Sequence, residues 1–373
     1  MKLTIERAAL LAALSHVQGV VERRTTIPIL SNLRLDAEDG RLRVTATDMD
    51  IAIVESVAAT LGTQGAATAS AHLLHDIVRK LPDGAQIGLE TGDGGGDHLT
   101  LTAGQAQFAL PSLPADEFPV MAEGSFSHDF ALPAANLRRL IDKTRFAIST
   151  EETRFYLNGI YLHAAEGDDG PVLRAVATDG HRLSRVEVPL PAGADGIPGV
   201  ILPRKTVAEA RKLIDESEGE IAVSLSQTKV RFAIGDVVLS SKLIDGVFPD
   251  YGRVIPVDND RILEVDGKAF TRAVDLVSTI SADKTRSVKL GLSKGRLVLS
   301  ATSSDSGSAS EELAVDFDAP DMQIGFNARY LLDVASQVDG ETIRFAMSDA
   351  VSPTAVRDSG DTAALYVLMP MRV

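Results

Sequence analysis

Cysteine and tryptophan are absent from the 373 residues, and aromatic residues make up only 5% of them. Without cysteine, disulfides, thiol nucleophiles and every cysteine-ligated zinc or iron–sulfur site are excluded. No run approaches the roughly 18 consecutive apolar residues that a membrane-spanning helix needs. The apolar stretch in MKLTIERAALLAALSHVQGV is short, follows Glu6 and Arg7, and precedes no small-residue cleavage site. It reads as a strand and a helix of the mature fold rather than as a signal peptide. Basic residues are also outnumbered: 37 Lys and Arg stand against 52 Asp and Glu, a net charge of −15. A protein that coats nucleic acid through a uniformly basic surface is thereby ruled out. At 45% apolar and 24% charged the usage is ordinary for globular proteins. The expectation is an acidic cytoplasmic protein of two to three domains.

What is present is a repeat. Ala-Thr-Asp occurs at 46–48 and 177–179, and Ala-Thr-Ser at 301–303, spaced by 131 and 124 residues, about one third of the chain. The flanks agree. Alternating strands open each unit at Leu3-Thr4-Ile5, Phe130-Ala131-Leu132 and Leu263-Glu264-Val265, and each is followed by apolar residues at helical spacing. Those are Leu10, Leu11 and Leu14; Leu137, Leu140 and Ile141; and Phe270, Val274 and Val277. A second helix is expected near His72, Lys205 and Ala328, at 25, 27 and 26 residues beyond the threonine of each mark. Each unit closes on a proline after an apolar residue, at Phe118-Pro119, Phe248-Pro249 and Met369-Pro370. Three domains follow, 1–126, 127–257 and 258–373, each running a strand–helix–strand half-repeat twice. Many short alternating strands with two helices per domain indicate an α+β fold, with mostly antiparallel sheets backed by helices.

Little catalytic chemistry is legible. The GDGGGD run at 92–97 lacks the Lys-Ser/Thr of a phosphate loop and reads as a hairpin loop. His72 and His75 share a helix face with no third metal ligand nearby, and Asp48 and Asp50 read as a strand-end turn. ATDGHRL at 177–183 packs Thr, Asp, His and Arg together, but Gly180 permits a tight turn that fans the side chains out. That suits a rim of partner contacts or a plain structural turn better than a proton relay. A hydrolase using His181 and Asp179 is the weakest reading.

Charge is unevenly spread. Expected helices at 6–24, 71–81, 134–146, 203–218, 267–286 and 327–338 carry +7 together, leaving −22 for strands and loops. Solvated helix faces would explain part of this, and a two-faced object explains more. Domains of about 125 residues are bodies about 35 Å across; three in a ring leave a hole of about 6 Å and six about 35 Å. A duplex about 20 Å wide passes only through six. A three-domain chain would therefore have to dimerise head to tail.

Five motifs, in order along the chain, carry a resemblance: PIL.N at 28–32, RFYLNG at 154–159, ATDGHRL at 177–183, SKLIDGVFPDY at 241–251 and YVLMPMRV at 366–373. From end to end the chain resembles the bacterial sliding clamps, the beta subunits of the DNA polymerase III holoenzyme. The resemblance implies a homodimeric ring of six domains that encircles double-stranded DNA without reading sequence and is opened by a clamp loader. It implies a non-catalytic processivity factor in DNA replication, without cofactor or metal, that tethers the replicative polymerase alpha subunit and other clamp-binding-motif peptides by raising their local concentration. DNA-facing positions would be Arg24, Arg138, Tyr156, Arg204 and Lys205, whereas Glu151-Glu152, in a loop the family turns to DNA, should repel phosphate. A partner-peptide cleft would comprise Arg154, Leu157, Thr178, Gly180, His181, Arg182, Leu183, Pro249, Arg253, Val254, Val351, Val367, Met369, Pro370, Met371 and Arg372. Two of the seven methionines fall in the last five residues, a polarizable surface suited to several partners. Thr285 and Pro353 depart from the family's usual residues at the cleft's edge. The dimer seam would bring Phe108 and Leu110 against Thr279 and Ile280 of a second copy. A monomeric peptide-binding adaptor of the same fold is the competing possibility.

Overall fold

A computed structural model of the chain describes residues 1–92, 97–121, 124–215, 217–281, 286–304 and 306–372. The GDGGGD loop at 93–96 and Thr285 lie outside them. Among the described residues every paired strand is antiparallel, and six α-helices are present: α1 (Arg7–Val17), α2 (Ala71–Lys80), α3 (Ala134–Asp142), α4 (Arg204–Ile214), α5 (Gly267–Ser278) and α6 (Ala328–Ala335). The alternating openings fall in strands Lys2–Glu6, His128–Pro133 and Arg261–Asp266, each leading directly into a helix. The side chain of Glu6 caps α1 by accepting from the amides of Ala8 and Ala9, and Asp266 caps α5 by accepting from Ala269. Both satisfy amides that a helix start otherwise leaves orphaned. Burial follows the helical period: Leu10, Ala13, Leu14 and Val17 on α1, and Phe270, Ala273, Val274 and Val277 on α5.

The helices are shorter than the sequence suggests. α1 stops at Val17 and passes through a 3₁₀ turn at Gln18–Val20, so Arg24 sits beyond the helix, on an exposed segment. Gly19 packs closely there on the Glu209 carboxylate, which a Cβ would displace. Glycine and the β-branched valines around it are poor helix formers, which ends the helix early. α5 likewise ends at Ser278, leaving Thr279 as its C-cap.

The chain packs as two compact units, Met1–Arg138 with Pro191–Pro198 and Lys205–Leu243, and Arg139–Leu190 with Gly199–Arg204 and Ile244–Val373. The middle third of the sequence is thus shared out between them. In the first unit strand Val237–Lys242 pairs with Ile51–Ala58, giving an eight-stranded sheet; a five-stranded sheet ends at strand Ala106–Pro111. In the second, Arg182–Pro189 pairs with Asp361–Leu368 within a nine-stranded sheet, and a four-stranded sheet has Gly307–Ala314 at its edge. α1 packs on α2, and α5 on α6.

The three Ala-Thr marks end equivalent strands, Arg41–Thr47, Gly170–Thr178 and Arg296–Ser303. The first two continue into the same turn. Thr47 Oγ1 donates to the Ile51 carbonyl and accepts from the Met49 amide, and Thr178 Oγ1 does likewise with Arg182 and Gly180. Asp48 accepts from the amides of Asp50 and Ile51, and Asp179 from those of His181 and Arg182. Gly180 has φ +89°; its counterpart Met49 has φ +79°, a conformation that side chains rarely adopt.

RFYLNG ends where strand Gly159–Gly167 begins beside Val200–Pro203, and a Cβ on Gly159 would overlap the Leu202 carbonyl oxygen. Gly159→Ala must push two paired strands apart, and we expect it to destabilise the second unit by about 1–3 kcal/mol, read as a lower urea midpoint.

Candidate functional site

In the second unit the turn Thr178–Arg182 stands over an apolar cluster of Leu157, Val176, Leu183, Ile201, Phe248 and Val367. Tyr156, Tyr161, Ile244, Tyr251 and Ile255 pack against it. Leu157, Leu183 and Val367 belong to this cluster and are 4%, 2% and 2% exposed, while Val254, Val351 and Met369 are exposed apolar side chains, 46%, 72% and 40% exposed. Pro249, His181, Arg253 and Arg372 are exposed as well. The C-terminal segment is held in place by its backbone: the amide of Met369 donates to the His181 carbonyl, and that of Met371 to Gly325. Pro370 lies between these two anchors. Pro353 offers its carbonyl to Asn259 Nδ2 at 2.9 Å.

Arg182 supports this surface from beneath. Its side chain is 7% exposed, with Nε donating to Asp179 at 3.1 Å, Nη1 to Asp333 at 2.5 Å and Nη2 to the Phe146 carbonyl at 2.5 Å. Its guanidinium also lies over the rings of Tyr330, at 4.5 Å, and Phe146, at 5.1 Å. Tyr330 in turn stacks with His181 at 6.3 Å. Arg182 thus orients the turn from a buried position. Arg154 is similarly engaged: Nη1 donates to the Asp179 carbonyl at 3.2 Å, and Nε pairs with Glu151 at 2.9 Å. A Cβ on Gly180 would collide with Arg154 Nη1 at 2.6 Å.

The DNA-facing positions divide. Arg24 and Arg204 are exposed. Lys205 is committed, its ammonium donating to Asp48 at 2.6 Å and to the Val20 carbonyl at 2.8 Å, so it ties α4 to the Ala-Thr-Asp turn of the first unit. Arg138 donates to the carbonyls of Ile214 and Ser217, capping the C-terminal end of α4. Tyr156 is half-buried, packed against the apolar cluster and close to Gly246. Over their observed bounds the six helices still carry a net +7.

At the expected seam, Leu110 turns inward opposite Leu99 and is only 5% exposed, so it belongs to the first unit's core; Phe108 is half-buried. Thr279 is exposed and Ile280 half-buried. His72 and His75 are used locally, His72 against the Val21 carbonyl at 3.2 Å and His75 near Ser15 and Asp76. Asp48 and Asp50 lie in the strand-end turn, Asp50 pairing with Lys242 at 2.9 Å.

Sequence reasoning missed Val176, Ile201, Phe248, Tyr161 and Tyr251. Phe248 was legible only as a domain-closing residue; the others are ordinary strand or connector residues until tertiary structure gathers them. The two carboxylates on Arg182 make it the keystone of the site. Arg182→Ala should cost about 1–3 kcal/mol by removing charge-assisted hydrogen bonds to two partly exposed carboxylates, and Arg182→Lys should recover only part, since an ammonium cannot span three acceptors as a fork. Chemical denaturation of the three proteins compares them.

Comparisons with known proteins agree along the whole chain. Family models of the DNA polymerase III beta subunit match as the N-terminal domain over residues 1–122, the central domain over 131–250 and the C-terminal domain over 252–372. The beta sliding clamp of Caulobacter vibrioides (strain NA1000 / CB15N) is 54% identical over 373 residues, and that of Escherichia coli (strain K12) 37% over 376, each alignment covering 100% of both chains. Among solved structures, a DnaN sliding clamp from Bartonella birtlesii bound to griselimycin superposes with a TM-score of 0.97 at 49% identity, covering 100% of both chains. The chain belongs to the DNA polymerase III beta subunit family, the DNA sliding clamps, and serves replication as a non-catalytic processivity subunit with a three-domain clamp fold.

Proposed function

We propose that two copies of the chain close head to tail into a ring around duplex DNA, with domains at 1–126, 127–257 and 258–373. The observation that carries this is a pair of open sheet edges, strand Ala106–Pro111 in the first unit and Gly307–Ala314 in the second. An unpaired edge is a template for another strand. Two such different edges on one chain suit a head-to-tail contact, which two copies satisfy twice. Phe108, Thr279 and Ile280 would flank the joint, and a clamp loader would open it. The ring works in the cytoplasm; among the described residues no helix is long and apolar enough to cross a membrane.

Exposed Arg24 and Arg204 would touch phosphates, a contact indifferent to sequence and compatible with sliding. Acidic strands and loops would keep DNA off the remaining surface. The cleft around Thr178–Arg182 would receive short peptides of the replicative polymerase alpha subunit and other partners. Its apolar floor and its exposed valine and methionine rim fit an extended apolar segment. Griselimycin, bound by the Bartonella birtlesii and Pseudomonas aeruginosa relatives, would take the same cleft and compete with such peptides.

Loading onto nicked circular plasmid tests ring closure. We expect retention on circles and loss on linearisation, and a mass near twice 39.6 kDa. Ile280→Asp should run as a monomer and be lost from circles too; equal retention on both DNA forms would overturn the ring. In filter binding, Arg24→Ala with Arg204→Ala should weaken DNA affinity and flatten its salt dependence, whereas Lys205→Ala should leave that dependence unchanged and lower the unfolding midpoint.

A further inference from the structure

One wall of the cleft is the connector 245–257, which supplies Phe248, Pro249, Arg253 and Val254. It carries little regular structure of its own, only the short 3₁₀ turn Tyr251–Val254. Phe248 anchors it by stacking on Tyr161, with ring centroids 4.9 Å apart and planes 5° from parallel. Three residues on, the Tyr251 hydroxyl lies 3.0 Å from Arg174 Nη1 and 2.9 Å from His163 Nε2.

The chemistry of the partners orders every proton in this chain of contacts. Arg174 can only donate, so Nη1–H points at the Tyr251 oxygen. His163 Nδ1 lies 2.8 Å from the Ala164 carbonyl, which can only accept, so the imidazole carries its proton on Nδ1. His163 Nε2 is therefore an acceptor, and the Tyr251 hydroxyl donates to it. Arg174 is held in turn by Nε–H to Glu187 at 2.8 Å and by Nη2–H to the Glu166 carbonyl at 3.0 Å. Each of Arg174's three nitrogens thus donates to a named acceptor, and the tyrosine hydroxyl closes the chain.

The corresponding connector in the first unit lacks this device. Phe118-Pro119 corresponds to Phe248-Pro249, which puts Met121 at the place of Tyr251. The strand registers put Arg43 at the place of Arg174: Arg43 pairs Asp36 as Arg174 pairs His163. The arginine is thus repeated, while Met121 and Asp36 stand where the second connector has the hydroxyl and the imidazole.

We propose that Tyr251, clasped between Arg174 and His163, is a positioning residue that sets the connector as a wall of the docking cleft. This rests on the cleft reading given above. It also makes the wall sensitive to acid. Protonated His163 would offer Nε2–H to an oxygen already taking a proton from Arg174, leaving the tyrosine hydrogen without its acceptor. Burial holds the imidazole below its ordinary range, with Arg174 lowering it further and Glu187 and the Ala164 carbonyl raising it. The other charged groups near the clasp are Arg185, paired with Glu187 at 3.3 Å, Arg357, which acts on Arg185, and the Asp250–Arg253 pair on the connector. Because the imidazole is more easily protonated once the connector is released, the clasp is whole above the ordinary histidine range and is lost as pH falls through the depressed value.

Two readouts on the intact protein test this. In hydrogen exchange, Tyr251→Phe should speed exchange of the amides at 248–255 several-fold. Wild type should lose the same protection as pH is lowered below the ordinary histidine range, after correction for intrinsic rates, while His163→Gln should show no such change. With griselimycin as the probe, Tyr251→Phe should raise Kd by about 5-fold to 10-fold, the scale of one charge-assisted hydrogen bond. Wild-type exchange in Tyr251→Phe, or faster exchange with wild-type affinity, would overturn the proposal. Failure of the wild type itself to bind griselimycin would count against the cleft reading instead, and the exchange experiment would still decide the clasp.

Discussion

Backbone pairing between distant thirds of the chain is the constraint on which the rest depends. Strand Val237–Lys242 exists as an interior strand because Ile51–Ala58 completes its ladder, and Arg182–Pro189 because Asp361–Leu368 does. Each repeat alone would leave these strands as open edges, with a row of unpaired amides and carbonyls in water or against the wrong partner. Pairing across repeats converts three similar segments into two compact units, while Ala106–Pro111 and Gly307–Ala314 stay at the margins of their sheets. The ring closure proposed through those edges would use the same hydrogen-bonding that builds the sheets.

The cleft is a product of that pairing. Val367 lies opposite Leu183, so the penultimate stretch of the chain and the Ala-Thr-Asp turn share one surface. Polar residues around it work mainly from below. Arg182 joins Asp179, Asp333 and Phe146, and Arg154 supports the backbone at Asp179. A docking surface for several partners needs an adaptable rim on a stiff base. In the docking reading proposed above, Val254, Val351 and Met369 would supply the rim, and the base is a buried guanidinium with three fixed acceptors.

Division of labour among the cations is equally physical. Lys205 and Arg138 lie on the helices that the charge pattern marks, yet their charges are spent on Asp48 and on the carbonyls ending α4. Arg24 and Arg204 keep theirs in solvent. Helix-borne charge is thus a reliable guide to which elements are basic and a poor guide to which side chain is free.

Periodicity and short motifs are local properties, so the threefold repeat, the α+β class, the absence of cysteine chemistry and the family can all be read from the residues in order. The strand openings, the helix starts and the turn at Gly180 are legible for the same reason, since capping residues and positive-φ glycine act within a few positions. The helix ends at Val17 and Ser278 are overrun by such a reading, and at the first of them Gly19 and its packing on Glu209 intervene. Long-range packing alone fixes which tyrosine faces what, which lysine is already paired, and how deeply Leu110 is buried. Those are questions of who lies across from whom. Arg174 and His163 face each other across one hairpin, but Tyr251 is 77 and 88 residues further along the chain, and no local pattern records that its hydroxyl joins them.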